Sequence, residues 1–232
     1  MTVPTVPPGA VPSVAIENSD ARYGVHRIYC VGRNYAEHAR EMGGDPRSEP
    51  PFFFMKPADA LIESGHPVPY PARTADFQYE VELVVALGSG GRRIAAEEAD
   101  RHVFGYAVGI DFTRRDLQAA AKGTGRPWDV AKGFDASAGI GAIRPVAAGP
   151  PAAGASIWLK HNGALRQSAH LSDLTWTVQE IVAELSTYFS LAAGDLIYTG
   201  TPAGVGPLVP GDTVEAGVDG LAPITFTVGA AL

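Results

Sequence analysis

Two apolar stretches decide the fold of this chain: YEVELVVAL at residues 79–87 and VFGYAVGID at residues 103–111. Valine, isoleucine and aromatic residues, which favour strands over helices, recur in both stretches. Each stretch has the length of a strand and carries few charges, which is typical of strands in the interior of a sheet. We therefore predict two interior strands, and the acidic residues within them need an explanation.

The rest of the chain is cut into short elements, because its 27 glycines and 19 prolines are scattered throughout. This spacing of turn residues favours many strands and turns over long helices. Asn162-Gly163 is typical of a type I′ hairpin turn. The mixture predicts a strand-rich α+β fold. We predict further strands at residues 27–31, 50–57, 156–161, 164–167, 196–199, 213–216 and 224–228, and helices at residues 34–42, 95–101, 113–122 and 178–189.

The length of 232 residues fits one domain or at most two small ones. Residues 1–25 begin with a proline-rich segment, which we predict to be an extended arm because prolines break helices. Residues 26–232 show no internal repeat and no low-complexity linker, so we predict that they form a single domain.

Composition excludes several classes of function. The net charge is −7 and the isoelectric point is about 5.3, which argues against binding to nucleic acid or to an anionic membrane surface. No apolar stretch reaches the roughly 20 residues that a membrane span needs. The single cysteine, Cys30, allows no intrachain disulfide, which suits a reducing cytosol and predicts a cytoplasmic protein. Cys30 itself is predicted to be a packed strand residue rather than a catalytic thiol.

The acidic residues of the two stretches predict a metal site. Glu80 and Glu82 are two apart in the first stretch, so their side chains point to the same face of the strand. Burying two like charges unpaired is costly, and a cation between them removes that cost. Asp111 ends the second stretch and can complete the site. Three carboxylates without histidine or cysteine select a hard ion such as Mg²⁺ or Mn²⁺, with positions left open for water or substrate.

An alternative interpretation of the Glu-x-Glu pair is a solvated strand face, and the pair alone is weak support for a metal. The apolar run at residues 84–87 favours an interior strand over a polar edge, and Asp111 is the one charge at the end of an apolar stretch. These surroundings favour the metal site.

Other residues are candidates for catalysis. His38 and Glu41 are three apart in the predicted helix at residues 34–42, so their side chains can touch. A carboxylate on one imidazole nitrogen raises the basicity of the other, and such a pair can take a proton from water. The alternative is a routine pair on an exposed helix. Lys132 can add positive charge to a site or be a solvated lysine. Arg115 carries a planar fork suited to a carboxylate.

Six segments together make the chain resemble the fumarylacetoacetate hydrolase family: YCVGRNYAEHAREMG, FFFMKPADALI, YEVELVVALG, GYAVGIDFTRRDLQ, GRPWDVAKGFD and YTGTPAGVG. The resemblance extends from about residue 28 to residue 228. Within that family the chain is most similar to the small bacterial acylpyruvate hydrolases, especially the fumarylpyruvate hydrolases of gentisate breakdown. The resemblance implies a mixed β-roll or β-sandwich fold for the catalytic domain, and a homodimer.

The resemblance also implies roles for individual residues. Gln78 and Tyr79 are departures, because many relatives carry one or two histidines just before the first metal glutamate. The implied metal is Mg²⁺, Mn²⁺ or occasionally Ca²⁺. Its ligands would be Glu80, Glu82 and Asp111; the catalytic residues would be His38, Glu41 and Lys132; the substrate contacts would be Arg115, Gln118 and Thr201, with Arg33 as a further candidate.

The implied reaction is hydrolysis of the C3–C4 bond of an acylpyruvate, which is a small 2-oxo acid. Water activated by His38 and Glu41 would attack the C4 carbonyl, and the metal would hold the charge of the pyruvate enolate. Arg33 or Arg115 would suit the second carboxylate of fumarylpyruvate. Three alternatives stay open: a decarboxylase of a 2-oxo acid such as oxaloacetate, a hydratase or isomerase of an unsaturated 2-oxo acid, and a catalytically silent dimer with a structural metal.

Overall fold

The computed structural model describes residues 10–35 and 50–231. Strands and short helices alternate along this part of the chain, which confirms the strand-rich α+β class. The elements are β1 (Ser13–Ala15), β2 (Arg22–Gly24), β3 (Arg27–Gly32), β4 (Phe52–Lys56), β5 (Leu61–Glu63), β6 (Val68–Tyr70), β7 (Phe77–Tyr79), β8 (Val81–Leu87), β9 (Val103–Asp111), β10 (Thr113–Arg114), α1 (Arg115–Gly123), α2 (Asp129–Lys132), β11 (Ala138–Ile140), β12 (Arg144–Pro145), β13 (Ser156–His161), β14 (Ala164–His170), α3 (Val178–Tyr188), β15 (Asp195–Tyr198), β16 (Gly206–Leu208), β17 (Thr213–Val218) and β18 (Ile224–Ala231), with 3₁₀ turns at Ala58–Ala60, Ala96–His102, Val146–Ala148 and Leu171–Asp173.

Strands β8 and β9 lie in the middle of an eight-stranded sheet with the order β4-β3-β15-β8-β9-β11-β5, in which β12 also pairs with β9. Every residue of β8 is buried, and in β9 only Phe104 is partly exposed. Burial on both faces follows from apolar residues at successive positions, since neighbouring side chains point to opposite faces. Both stretches that opened the sequence prediction are therefore interior strands.

A five-stranded sheet with the order β14-β13-β17-β18-β6 covers one face of the central sheet. Side chains of β8 and β9 share a hydrophobic cluster with those of β13, β17 and β18, and α3 packs into the same cluster. The hairpin between β13 and β14 turns at Asn162 and Gly163, whose φ angles of 49° and 79° confirm the predicted type I′ turn. Helix α3 begins at a capping box formed by Thr177 and Glu180.

The predicted strand at residues 79–87 is interrupted at Glu80. Before the break, β7 joins β10 and β16 in a separate three-stranded sheet, and after it β8 belongs to the central sheet. The predicted helix at 113–122 begins two residues later than expected, at Arg115, because Thr113 and Arg114 pair with β7. The polypeptide thus changes direction on both sides of the acidic residues.

Residues 13–24 form an antiparallel ribbon of β1 and β2. Val14 and Tyr23 of this ribbon are buried in a second hydrophobic cluster on the other face of the central sheet. The Tyr23 hydroxyl donates to the carbonyl of Leu87 at 2.7 Å. Cys30 of β3 is fully buried in the same cluster, as predicted for a packed strand residue.

In the described part of the chain, no helix combines the length and the apolar character required to cross a membrane.

Candidate metal centre and substrate cleft

The three predicted carboxylates meet in the structure. Glu80 lies in the break between β7 and β8, Glu82 is the second residue of β8, and Asp111 is the last residue of β9. Strand pairing brings them together, because β8 and β9 are antiparallel neighbours and the Asp111 N–H donates to the carbonyl of Glu80 at 2.9 Å. One oxygen from each side chain lies within 4.8 Å of the others, and all three residues are buried.

Lys132 supplies positive charge to this cluster. Its Nζ donates to Glu80 Oε2 at 2.8 Å, to Asp111 Oδ2 at 2.6 Å and to Thr113 Oγ1 at 2.7 Å. Burial alone would lower the pKa of Lys132, but the attraction of Asp111 and Glu80 outweighs burial and raises the pKa. The buried ammonium therefore stays charged at neutral pH.

Lys56 approaches Asp111 from the interior of the protein. Its fully buried Nζ lies 2.7 Å from Asp111 Oδ1. This contact is an ion pair without hydrogen-bond geometry, since Asp111 Oδ1 accepts no hydrogen bond from the described residues. The protons of the ammonium go instead to the carbonyls of Phe112, at 3.1 Å, and of Lys132. The sequence offered one signal for this role, a lysine that ends an aromatic strand.

Arg115 holds the other side of the cluster. Its Nη2 donates to Glu80 Oε1, its Nε donates to Gln78 Oε1 at 2.9 Å, and its Nη1 donates to Gln118 Oε1 at 2.6 Å. All three guanidinium nitrogens therefore have a partner, so the fork is fixed in place. Gln78, one of the two departures from the family pattern, acts here as a support for Arg115.

Glu82 differs from the other two carboxylates. Its described hydrogen-bond partner is the backbone N–H of Gly200, which donates to Oε2 at 2.7 Å. Burial, followed by repulsion from Asp111 and Glu80, raises the pKa of Glu82 well above its usual range. A divalent cation among the three carboxylates would reverse this, because it favours the ionised form. An all-oxygen donor set that includes a buried carboxyl with no ion pair among the described residues fits Mg²⁺ or Mn²⁺.

A small cleft of about 30 Å³ opens over this cluster. All the predicted substrate residues line it, as does Lys132. Arg33 adopts a left-handed backbone conformation with φ 58°, which is uncommon and costly for a residue with a side chain. Two aromatic residues add an apolar wall. The lining residues are Val31, Gly32, Arg33, Phe54, Glu80, Glu82, Arg115, Gln118, Trp128, Lys132 and Thr201.

His38 and Glu41 lie outside the described residues, so their predicted pairing stays a prediction. The described chain before them is anchored by Asn34, which the sequence did not single out. Asn34 Nδ2 donates to the carbonyls of Trp176, at 3.0 Å, and of Thr199, at 2.7 Å, and Asn34 Oδ1 accepts from the Trp176 N–H at 2.7 Å. These bonds attach Asn34, where the 34–42 segment starts, to Trp176 and to the loop at residues 199–204, which we call the glycine-rich loop.

Comparisons with known proteins match one family and relatives with two different named activities. The family described as "Fumarylacetoacetate (FAA) hydrolase C-terminal" matches residues 27–229. A fumarylpyruvate hydrolase of a Ralstonia species is 46% identical over 187 residues, which cover 81% of this chain and 97% of the relative. A mitochondrial oxaloacetate tautomerase of Homo sapiens is 42% identical over 201 residues, covering 87% of this chain and 90% of the relative.

A solved structure shows the same architecture. The crystal structure of fumarylpyruvate hydrolase from Pseudomonas aeruginosa in complex with Mn²⁺ and pyruvate matches with a TM-score of 0.94 at 47% identity. The match covers 97% of this chain and 98% of that chain. The likeness therefore extends over the eight-stranded sheet, the five-stranded sheet and the residues of the cleft. It confirms the fold that the sequence resemblance implied.

Proposed function

Because the chain belongs to the fumarylacetoacetate hydrolase family, we propose that it is a metal-dependent hydrolase that cleaves the C3–C4 bond of an acylpyruvate. One observation carries the proposal: three buried carboxylates converge, and two of them line one cleft together with Lys132, Arg33 and Arg115. The relatives that act on fumarylpyruvate, one of them solved with Mn²⁺ and pyruvate, support fumarylpyruvate as the substrate.

Glu80, Glu82 and Asp111 would hold Mg²⁺ or Mn²⁺, and Ca²⁺ also suits their oxygen ligands. When bound, the ion supplies a positive charge that stabilises the enolate developing on the pyruvate half. The protein fixes the ligands from behind, since Lys56 and Lys132 hold the two oxygens of Asp111.

Protein residues would carry the remaining steps. His38, with Glu41, would take a proton from water, and the water oxygen would bond to C4. The C3–C4 bond then breaks, its electron pair goes to the pyruvate enolate, and a proton returns to C3 to give pyruvate and the free acid. Lys132 would place its ammonium beside the developing negative charge. Arg33 would pair with the second carboxylate of the fumaryl arm.

A substrate panel tests the proposal. The loss of ultraviolet absorbance of fumarylpyruvate, acetylpyruvate and oxaloacetate would be followed with Mn²⁺ present and again after a chelator has removed the metal. Chromatography would identify the products. We expect metal-dependent formation of fumarate and pyruvate, fastest from fumarylpyruvate. Failure to cleave either acylpyruvate with metal bound would refute the hydrolase.

Replacing the proposed base gives a second test. His38→Ala should lower kcat by about 10²–10⁴-fold, the usual contribution of general-base catalysis, while Mn²⁺ stays bound. His66→Ala is the matched control, because His66 is exposed and contacts the Glu63 carbonyl away from the cleft. Turnover of His38→Ala near that of the control would remove His38 from the mechanism.

The oxaloacetate tautomerases, 42% identical to this chain, favour a second candidate. Tautomerisation moves one proton between C3 and the 2-oxo oxygen and breaks no carbon–carbon bond. Oxaloacetate in the same panel separates the first two cases: faster keto–enol exchange indicates a tautomerase, and formation of pyruvate with CO₂ indicates a decarboxylase. Addition of water to the double bond of fumarylpyruvate would indicate a hydratase. Absence of every activity, with metal bound, would leave the silent metal-binding dimer. Homodimer formation itself stays a prediction for sedimentation to check.

A further inference from the structure

Gln167 is a buried glutamine that the proposed mechanism does not use. It lies on β14, has no exposed surface, and reaches from the five-stranded sheet toward the cleft. The backbone N–H of Val81 donates to Gln167 Oε1 at 3.0 Å. Gln167 Nε2 donates to Thr201 Oγ1 at 2.8 Å and to the Pro202 carbonyl at 2.7 Å. One side chain thus connects the residue between the two metal glutamates to the glycine-rich loop.

The position of Gln167 follows from the way β15 leaves β8. The last pair between these strands is Tyr198 with Val84, and the Thr199 N–H still donates to the Leu83 carbonyl. Beyond that point the loop separates from β8, so among the described residues no carbonyl of β15 is left for the Val81 N–H to donate to. A buried N–H without an acceptor is costly, and the amide oxygen of Gln167 satisfies it.

The loop also rests directly on the backbone of β14. Gly204 has φ 97°, and a side chain there would clash with the carbonyl oxygen of Arg166. The loop therefore contacts residues 166 and 167 directly, and this contact fixes the distance between the loop and β8.

The hydrogen bonds determine which way the Gln167 amide points. The Val81 N–H can only donate and the Pro202 carbonyl can only accept, so the amide oxygen faces Val81 and the amide NH₂ faces the loop. Thr201 Oγ1 must then accept from Gln167. The hydroxyl proton of Thr201 is left to donate elsewhere, and Thr201 lines the cleft.

We infer that Gln167 is a positioning residue that presents the Thr201 hydroxyl as a hydrogen-bond donor to a carboxylate oxygen of the bound 2-oxo acid. This inference rests on the proposed function of the cleft. This arrangement favours hydrogen-bond acceptors on the ligand, such as a carboxylate oxygen, because Gln167 occupies one lone pair of the Thr201 hydroxyl and leaves its proton to donate.

Gln167→Met, Thr201→Val and the double variant test the inference. Methionine keeps the volume of glutamine without its hydrogen bonds. Thr201→Val should raise KM about tenfold, as expected when a hydrogen bond to a charged group is lost. Gln167→Met should raise KM by up to that factor, with kcat and the Mn²⁺ dissociation constant within about threefold of wild type. The double variant should have the KM of Thr201→Val, because no hydroxyl remains to be positioned.

Two further arms keep the result decisive. If Gln167→Met does not fold, Gln167→Glu replaces it: a carboxyl group carries at most one proton and cannot donate to both Thr201 and Pro202, so KM should again rise only when Thr201 is present. Gln179→Met is the control, since Gln179 bonds Asp100 outside the cleft. Its KM should be unchanged.

Calorimetry of oxalate binding to the Mn²⁺-loaded variants gives the same comparison without turnover. A KM or oxalate affinity that is unchanged in a folded Gln167 variant, or effects of the two substitutions that multiply, would overturn the inference. Absence of acylpyruvate cleavage by wild type would instead refute the proposed function, and the oxalate series would still test Gln167.

Discussion

Two buried carboxylates, Asp195 and Glu82, differ in how many partners the surrounding protein gives them. Asp195 begins β15 and has no exposed side-chain surface. Its Oδ1 accepts from His26 Nδ1 at 2.9 Å and from Arg27 Nε at 3.0 Å, and its Oδ2 accepts from Arg27 Nη2 at 2.8 Å and from the Ala192 N–H at 2.8 Å. Each oxygen has two donors, so the protein alone neutralises this carboxylate.

Glu82 lies on the adjacent strand of the same sheet and is equally buried, but its described donor is the one Gly200 N–H. The nearest charges that raise its pKa are the carboxylates of Asp111 and Glu80. The difference teaches that burial of an acid is not itself a sign of function. An acid whose partners are complete stabilises the fold, whereas a buried acid that makes no ion pair within the described residues indicates a ligand from outside the chain.

Glu82→Gln should have the largest effect on metal binding, because it removes the carboxylate that makes no ion pair within the described residues. We expect the affinity for Mn²⁺ to fall by more than about 100-fold, beyond the 10–100-fold cost of losing an outer-shell partner, and activity to disappear with it. Titration calorimetry with Mn²⁺ checks this. Tight binding retained by the variant would contradict the assignment of Glu82 as a ligand.

Asp195→Asn should act on stability alone. Breaking a buried ion pair costs about 3 kcal/mol or somewhat more, because Arg27 keeps its charge without its partner. Urea unfolding measures the loss, and the Mn²⁺ affinity of the folded variant should match wild type. Weakened metal binding in this variant would show that the two regions are coupled and would end the distinction between them.

The smallest expected effect is on the pH dependence of metal-free protein. The pKa of Glu82 is raised in the folded state, so folding takes up a proton there, and stability is lost as pH rises from the ordinary value of about 4.5 through the raised pKa. Thermal unfolding with a chelator should therefore show a Tm a few degrees lower at pH 8 than at pH 5, from this group alone.

Glu82→Gln should reduce that dependence, and saturating Mn²⁺ should remove it from wild type, because bound metal keeps the carboxylate ionised. Superimposable pH profiles for wild type and the variant, both without metal, would show that Glu82 ionises normally.

Local pattern predicted the centre of this molecule. The composition of residues 103–111 was enough to place β9, and period-two spacing was enough to relate Glu80 to Glu82, with Asp111 at a strand end as the residue that could complete the site. The break at Glu80 had no such signal. It arises because Gln78 and Thr113 pair in a separate sheet, which depends on residues far apart in the chain.

The partners in the supporting contacts could not be paired from the sequence either. Gln167 and Val81 are 86 positions apart, and Lys56 is 76 positions from the carbonyl of Lys132 that it bonds. No periodicity or motif relates such pairs, since they meet only when two sheets and a loop are packed together. The three carboxylates that meet at the site were thus predictable, whereas most of the residues that hold them in place were not.

The division of the cleft between floor and walls has a consequence for how this protein can change. The carboxylates of the floor lie within β8, just before it and at the end of β9, whereas Arg33, Phe54 and Trp128 come from a strand end, the edge strand β4 and the connection between α1 and α2. A mutant library confined to these three wall positions would search for new acyl groups while leaving the metal centre intact. Duplicated genes that diverge at the same three positions would keep the three carboxylates and gain preferences for different acyl groups.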